Sequence, residues 1–189
     1  EAYNASSTCF KCDAPFGGIV TYNHCISVDS GIYGFHIRDN GVSVLQNCTC
    51  YSAANSGFLV ESWNGSAFQV IFINCLAAEN AQYGFNGISA AGADRVRTIN
   101  CAAYNNTSGI SQYTTDEGMI TLTADPFVTK APGSGTGDYD LNDTAGGGAA
   151  CRQLGYPATM QYYTATTPKL NVGAGGFAAA AAGGGLKLI

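Results

Sequence analysis

The stretch "INCLAAENAQYGF", residues 73–85, runs from an apolar segment into an Asn-Cys pair and places a Gly-Phe pair nine residues beyond the cysteine. A polar asparagine closing what looks like a buried strand is costly unless the chain bends there. The chain repeats this arrangement. Cys25, Cys48, Cys75 and Cys101 are separated by 23, 27 and 26 residues, and Gly34, Gly57, Gly84 and Gly109 follow them at offsets of 9, 9, 9 and 8. Each glycine precedes a bulky apolar residue (Phe35, Phe58, Phe85, Ile110), and a small residue stands two places after each cysteine (Ser27, Cys50, Ala77, Ala103). Asn47, Asn74 and Asn100 sit just before their cysteines, while the first copy has His24 there and Asn23 one place earlier. Self-similarity at a period of about 25 residues is the signature of a solenoid.

The period-two pattern says which solenoid. Val20 and Tyr22, Val70 and Phe72, with Leu45 and Val96, alternate towards one side before each Asn-Cys pair. After the pair the phase slips by one, because the cysteine and the small residue two later become the inward positions. A phase slip marks a bend between two strands, and asparagine tolerates the left-handed backbone that such a bend needs. A further corner over residues 79–83 leads to the Gly-Phe strand, with Phe35 and Ile37, or Phe58 and Val60, inside. Three short strands per copy predict an all-β, right-handed parallel β-helix of about five coils, with strands of successive coils about 4.8 Å apart.

This pattern resembles the pectate-lyase-like superfamily, whose coils carry an asparagine ladder at a tight corner; Asn47, Asn74 and Asn100 match that position. The resemblance covers roughly residues 15–125 and bears on fold, since one fold hosts many functions. A run from "DPF" through "GDYDLN" to "GYP" resembles the closing segment of bacterial and phage β-helix proteins. The expected organisation is an N-terminal cap over residues 1–18, coils over 19–128, an irregular closing segment over 129–175 and a Gly/Ala-rich tail over 176–189. The chain starts at Glu1 with no signal peptide in view, so a processed or incomplete product is expected.

Composition narrows the function. Only 11% of residues are charged and the net charge is −5, with no Lys/Arg cluster of the kind a nucleic-acid partner needs. No apolar run is long enough for a membrane helix. Of the eight cysteines, Cys25, Cys48, Cys75 and Cys101 are expected as a stack of small buried thiols, Cys9 and Cys12 as a local disulfide or two free thiols, Cys50 as the small residue of its copy and Cys151 as isolated, with no metal site. Six N-x-S/T sequons, at Asn4, Asn47, Asn64, Asn105, Asn106 and Asn142, are frequent by chance in so Asn- and Thr-rich a chain.

The family resemblance implies a substrate laid along the Gly-Phe sheet, whose outward positions are His36, Leu59, Asn86 and Ser111, then Arg38, Glu61, Ile88 and Tyr113. Arg38, Asp39 and Glu61 are the catalytic candidates for an enzyme, with Ca²⁺ as cofactor only for a lyase; otherwise no cofactor is expected. His36, Trp63, Asn86, Ser111 and Tyr113 are the candidates for sugar contact. Short corners and the lack of a carboxylate cluster favour a non-catalytic structural protein of an extracellular assembly or virion surface, partnered by copies of itself or other assembly proteins and touching glycans. The alternatives are a polysaccharide lyase or depolymerase and a carbohydrate-binding module of a larger protein.

Overall fold

The computed structural model describes residues 2–13, 18–38, 41–61, 69–88, 95–111, 114–130 and 138–154. The chain is a parallel β-solenoid with three strands per coil. Sheet A is built from β1 (Ala2–Tyr3), β4 (Ile26–Val28), β7 (Thr49–Tyr51), β10 (Leu76–Ala78), β13 (Ala102–Tyr104) and β16 (Ile120–Thr121). Sheet B contains β2 (Thr8–Asp13), β5 (Tyr33–Arg38), β8 (Phe58–Glu61), β11 (Tyr83–Ile88) and β14 (Ser108–Ile110). Sheet C contains β3 (Ile19–Asn23), β6 (Val42–Gln46), β9 (Gln69–Ile73), β12 (Val96–Ile99) and β15 (Thr115–Glu117). Each strand pairs in register with the equivalent strand of the next coil, so Leu45 lies beside Phe72 and Cys50 beside Ala77.

The Asn-Cys pair is the corner from sheet C into sheet A. His24, Asn47, Asn74 and Asn100 have φ values of 53°, 53°, 53° and 49°. That left-handed geometry costs other L-residues roughly 1–2 kcal/mol, whereas a short polar side chain supports it by local hydrogen bonding. It turns the chain and produces the phase slip. Asn74 donates to Asn47 across 3.3 Å, and Asn47 donates to Asn23 across 3.4 Å. Cys48, Cys75 and Cys101 then point inward and are fully buried.

The Gly-Phe strands supply the largest inward side chains. Phe10, Phe35, Phe58 and Phe85 stack with ring centroids 4.7, 4.8 and 4.9 Å apart, the spacing that the strand ladder imposes. The glycines before them are required by space. A Cβ on Gly34 would lie 2.2 Å from Cys50 Sγ, one on Gly57 2.8 Å from Asn80 Nδ2, and one on Gly84 2.7 Å from the Gly109 carbonyl. The inside of the corner from sheet A into sheet B is therefore too narrow for a side chain at Gly34, Gly57 and Gly84.

Residues 2–13, expected as part of a cap, instead supply β1 and β2, which pair with β4 and β5. Their membership is disguised because Cys9 stands at the glycine position, opposite Gly34. The thiol fits because its neighbours are small: Ser30 Oγ lies 3.0 Å from Cys9 Sγ, and Ser27 and Ser30 share a 2.9 Å hydrogen bond. Cys12 packs in the core three residues further on, and both cysteines are free thiols, so the local disulfide does not form.

The closing segment is more ordered than expected. β17 (Phe127–Thr129), which crosses the expected boundary at 128, pairs antiparallel with β18 (Asp138–Leu141), and α1 (Gly148–Leu154) follows. Leu122, Phe127, Tyr139, Leu141 and Cys151 lie against the outer face of sheet A and cover Ile26, Val28, Tyr51, Leu76, Ala78 and Ala102. Asn142 ties the segment together, donating to the carbonyls of Asp125 and Phe127 at 2.8 Å each and accepting from the Thr144 and Gly148 amides.

Candidate functional site

The outer face of sheet B holds the candidates. Register places Asp13, Arg38, Glu61 and Ile88 in one row, and Lys11, His36, Leu59 and Asn86 in the other. His36 Nε2 is 2.8 Å from Glu61 Oε2, Arg38 Nε is 3.6 Å from the same oxygen, and Arg38 Nη1 is 3.7 Å from Asp13 Oδ1. Lys11 closes the far end, 2.9 Å from Asp13, and its hydrogen bond is the main cause holding the Asp13 carboxyl below the usual carboxylate range. The Tyr33 ring stands 5.1 Å from the imidazole. The row alternates in sign, so its charges compensate one another.

This chemistry has a definite limit. Asp13 and Glu61 lie two strand spacings apart, roughly 10 Å, with Arg38 between them and paired to both. An acid and base pair for glycoside hydrolysis needs its two carboxyl groups facing one scissile bond, and here both face the same guanidinium. A general base at His36 would have to act through the nitrogen that Glu61 does not hold.

The remaining sugar-contact candidates do not make an open surface. Asn86 and Ser111 are 8% and 6% exposed, and Leu59, the outward position between His36 and Asn86, is fully buried. Asn86 donates to Ser56 Oγ across 3.2 Å, while Ser111 Oγ accepts from the Gly87 amide at 2.9 Å and lies 3.4 Å from Thr114 Oγ1. Their polar groups hold neighbouring coils together. Asp39, Trp63 and Tyr113 lie outside the described residues.

Two polar constellations escaped the sequence reading. The first is a second ladder at the corner from sheet A into sheet B. Asn4, Asp29, Ser52, Glu79 and Asn105 take left-handed backbone there, with φ between 48° and 59°. The next residue points inward: Asn106 Oδ1 accepts from both the amide and the side chain of Asn80, Asn80 Oδ1 accepts from the Ala53 amide at 2.9 Å, and Asn106 donates to the Ala77 carbonyl. The second is a clamp on the covering segment. Lys130 pairs with Glu79 and, at 2.7 Å, with Asp125; its ammonium lies 5.7 Å from the Tyr51 ring, whose hydroxyl donates to Glu79. Burial pulls the Lys130 ammonium down, but Asp125 and Glu79 outweigh it and the net shift is upward.

Within the cysteine column the thiols are shifted in opposite directions, hydrogen bonding from Cys75 lowering Cys48 while burial raises Cys75. Among the described residues all cysteines are free thiols, and burial raises Cys75 and Cys50 well above the usual thiol range. Cys75 Sγ donates to the Leu45 carbonyl and Cys101 Sγ to the Phe72 carbonyl, each a group of the coil before. Among the described residues no group of three His, Cys, Asp or Glu side chains is placed to hold a metal ion. No described helix is long and apolar enough to cross a membrane. Comparison of the chain with protein-family models, curated proteins and solved structures returned no match.

Proposed function

We propose that the chain is a non-catalytic structural element of an extracellular assembly or virion surface, a stiff solenoid whose partners are copies of itself or other assembly proteins. One observation carries this reading. The polar side chains on the face where a polysaccharide would lie are engaged with one another and with the backbone of adjacent coils. Interior ladders at two corners add rigidity, because each amide joins successive coils along the axis.

The polysaccharide lyase or depolymerase reading has one observation in its favour, the His36, Arg38 and Glu61 group on the same face. Ca²⁺ would enter only through that reading. The test is incubation with a panel of anionic and neutral polysaccharides, with and without Ca²⁺, followed by ultraviolet absorbance for unsaturated products and by reducing-end release. The structural reading predicts neither signal, and negative-stain images of material from the native source showing the protein within a larger particle. Turnover that disappears in Glu61→Gln would replace it with the enzymatic reading.

A further inference from the structure

We infer that Cys25 and Cys48 form a site of reversible oxidation, at which a hydroperoxide joins the first two sulfurs of the column in a disulfide between neighbouring coils. Cys25 follows the left-handed corner residue His24 and Cys48 follows Asn47, each with φ of 53°, so the two side chains leave equivalent corners one coil apart. The residues after them, Ile26 and Thr49, are partners in the parallel ladder, and the Thr49 amide donates to the Cys25 carbonyl at 2.8 Å. That register sets the two Cα atoms about 4.8 Å apart, inside the roughly 4.4–6.8 Å that a disulfide spans. Cys48 lies within hydrogen-bond reach of both Cys25 and Cys75. Cys25 sits between β3 and β4, and Cys48 between β6 and β7. The shift that brings their Cβ atoms into bonding range therefore falls at the bends and not within a strand.

Exposure selects this pair over its neighbours in the column. Cys25 is partly exposed, whereas Cys48, Cys75 and Cys101 are fully buried. A small oxidant arriving from solvent meets Cys25 first, and the sulfur next to it is that of Cys48. Cys9 is also partly exposed, but the residue opposite it on the next coil is Gly34, which offers no sulfur. Cys50 is fully buried and stands between Ser27 and Ala77.

The reaction balances in two steps. The Cys25 sulfur, as thiolate, attacks one peroxide oxygen; the O–O bond breaks, the other oxygen takes a proton and leaves as water, and Cys25 becomes a sulfenic acid, oxidised by two electrons. Cys48 then attacks that sulfur; the S–S bond forms, the S–O bond breaks, and the departing hydroxyl takes the Cys48 proton to leave as a second water. Hydrogen bonds from Cys75 and Cys25 favour the thiolate of Cys48, which suits it to the attacking role. Burial raises Cys25, so the first step is the slow one. The product ties β3 and β4 to the coil that follows them.

The experiment exposes the reduced full chain, folded, to excess hydrogen peroxide, alkylates the remaining thiols in denaturant and maps chymotryptic peptides by mass spectrometry, with fragment ions separating Cys48 from Cys50. The expected product is a bond between Cys25 and Cys48 of the same chain, lighter by two hydrogens and reversed by dithiothreitol, with Cys75 and Cys101 recovered as alkylated thiols. In Cys48→Ala the reaction is expected to stop at Cys25, where dimedone captures the sulfenic acid. In Cys25→Ala, Cys48 is expected to stay reduced. Should either variant fail to fold, the wild-type peptide map decides alone. A Cys25 that stays unmodified, a bond that joins two chains, a bond from Cys25 to any other cysteine, or oxidation of Cys25 that runs on to sulfinic acid without a bond overturns the inference.

Discussion

Sheets A and C meet at the asparagine corner and carry similar apolar residues on their outer faces, yet one face is covered and the other is open. On sheet A, Leu76 and Ala102 are fully buried beneath the hairpin and helix that close the described chain. On sheet C, Ile71 and Ile73 keep part of their surface in water. The difference shows that the solenoid interior is only half of the packing problem. A coil turns one side of each strand inward, and the opposite side must find its cover from elsewhere in the chain or from another molecule.

The sharpest way to break this contrast is to truncate one residue on each face. Leu76→Ala opens a cavity under the covering segment and is expected to cost about 3 kcal/mol, whereas Ile71→Ala should fall within about 1 kcal/mol, both read by urea denaturation. Equal losses would mean that the face of sheet C is covered after all. The corner between the sheets comes next. Asn74→Ala forces alanine into left-handed backbone and removes the ladder amide, for an expected loss of about 2 kcal/mol. Asn74→Gly should recover the backbone share and leave the ladder share lost.

The smaller effects probe the cover itself. Lys130→Met leaves Glu79 and Asp125 without their shared cation and should cost about 1 kcal/mol. Its clearer readout is faster hydrogen exchange in residues 127–130 and 138–142 with the coil amides unchanged. Burial pushes the Cys151 thiol from 9.0 up to about 12. The folded thiol keeps its proton while the unfolded one loses it, so stability is full below about pH 9 and declines as the pH rises towards 12. Lys130, also raised, adds to the decline only above its unfolded value of 10.5. In Cys151→Ala the slope of stability against pH between 9 and 10.5 should be shallower than in the wild type.

Much of the solenoid was legible because three features recur at fixed spacing: an Asn-Cys bend, a small inward residue and a Gly-Phe strand. Each answers a steric demand that few residues meet. The corner from sheet A into sheet B left no such trace, since Asn4, Asp29, Ser52, Glu79 and Asn105 all accept the same backbone with amide, carboxylate and hydroxyl side chains in turn. The first coil was hidden because Cys9 replaces the glycine, a substitution made possible by Ser27 and Ser30 a coil away in sequence. On the candidate face, alternation gave the outward positions correctly for Arg38 and Glu61. It could not show that Asn86 and Ser111 point outward into shelter, because burial there depends on contacts between coils, which no single strand records. The Lys130 clamp joins residues 51 positions apart and has no local pattern at all.

The thiol column also makes the molecule its own recorder of fraying. Cys25 lies near one end of the stack and is partly exposed, while Cys48, Cys75 and Cys101 are sealed. A thiol reagent reaches a sealed sulfur only when its coil opens, so the labelling rate at each cysteine reports the local opening free energy at that height. The order in which the four sulfurs are modified would tell whether the stack unwinds from its ends or parts in the middle.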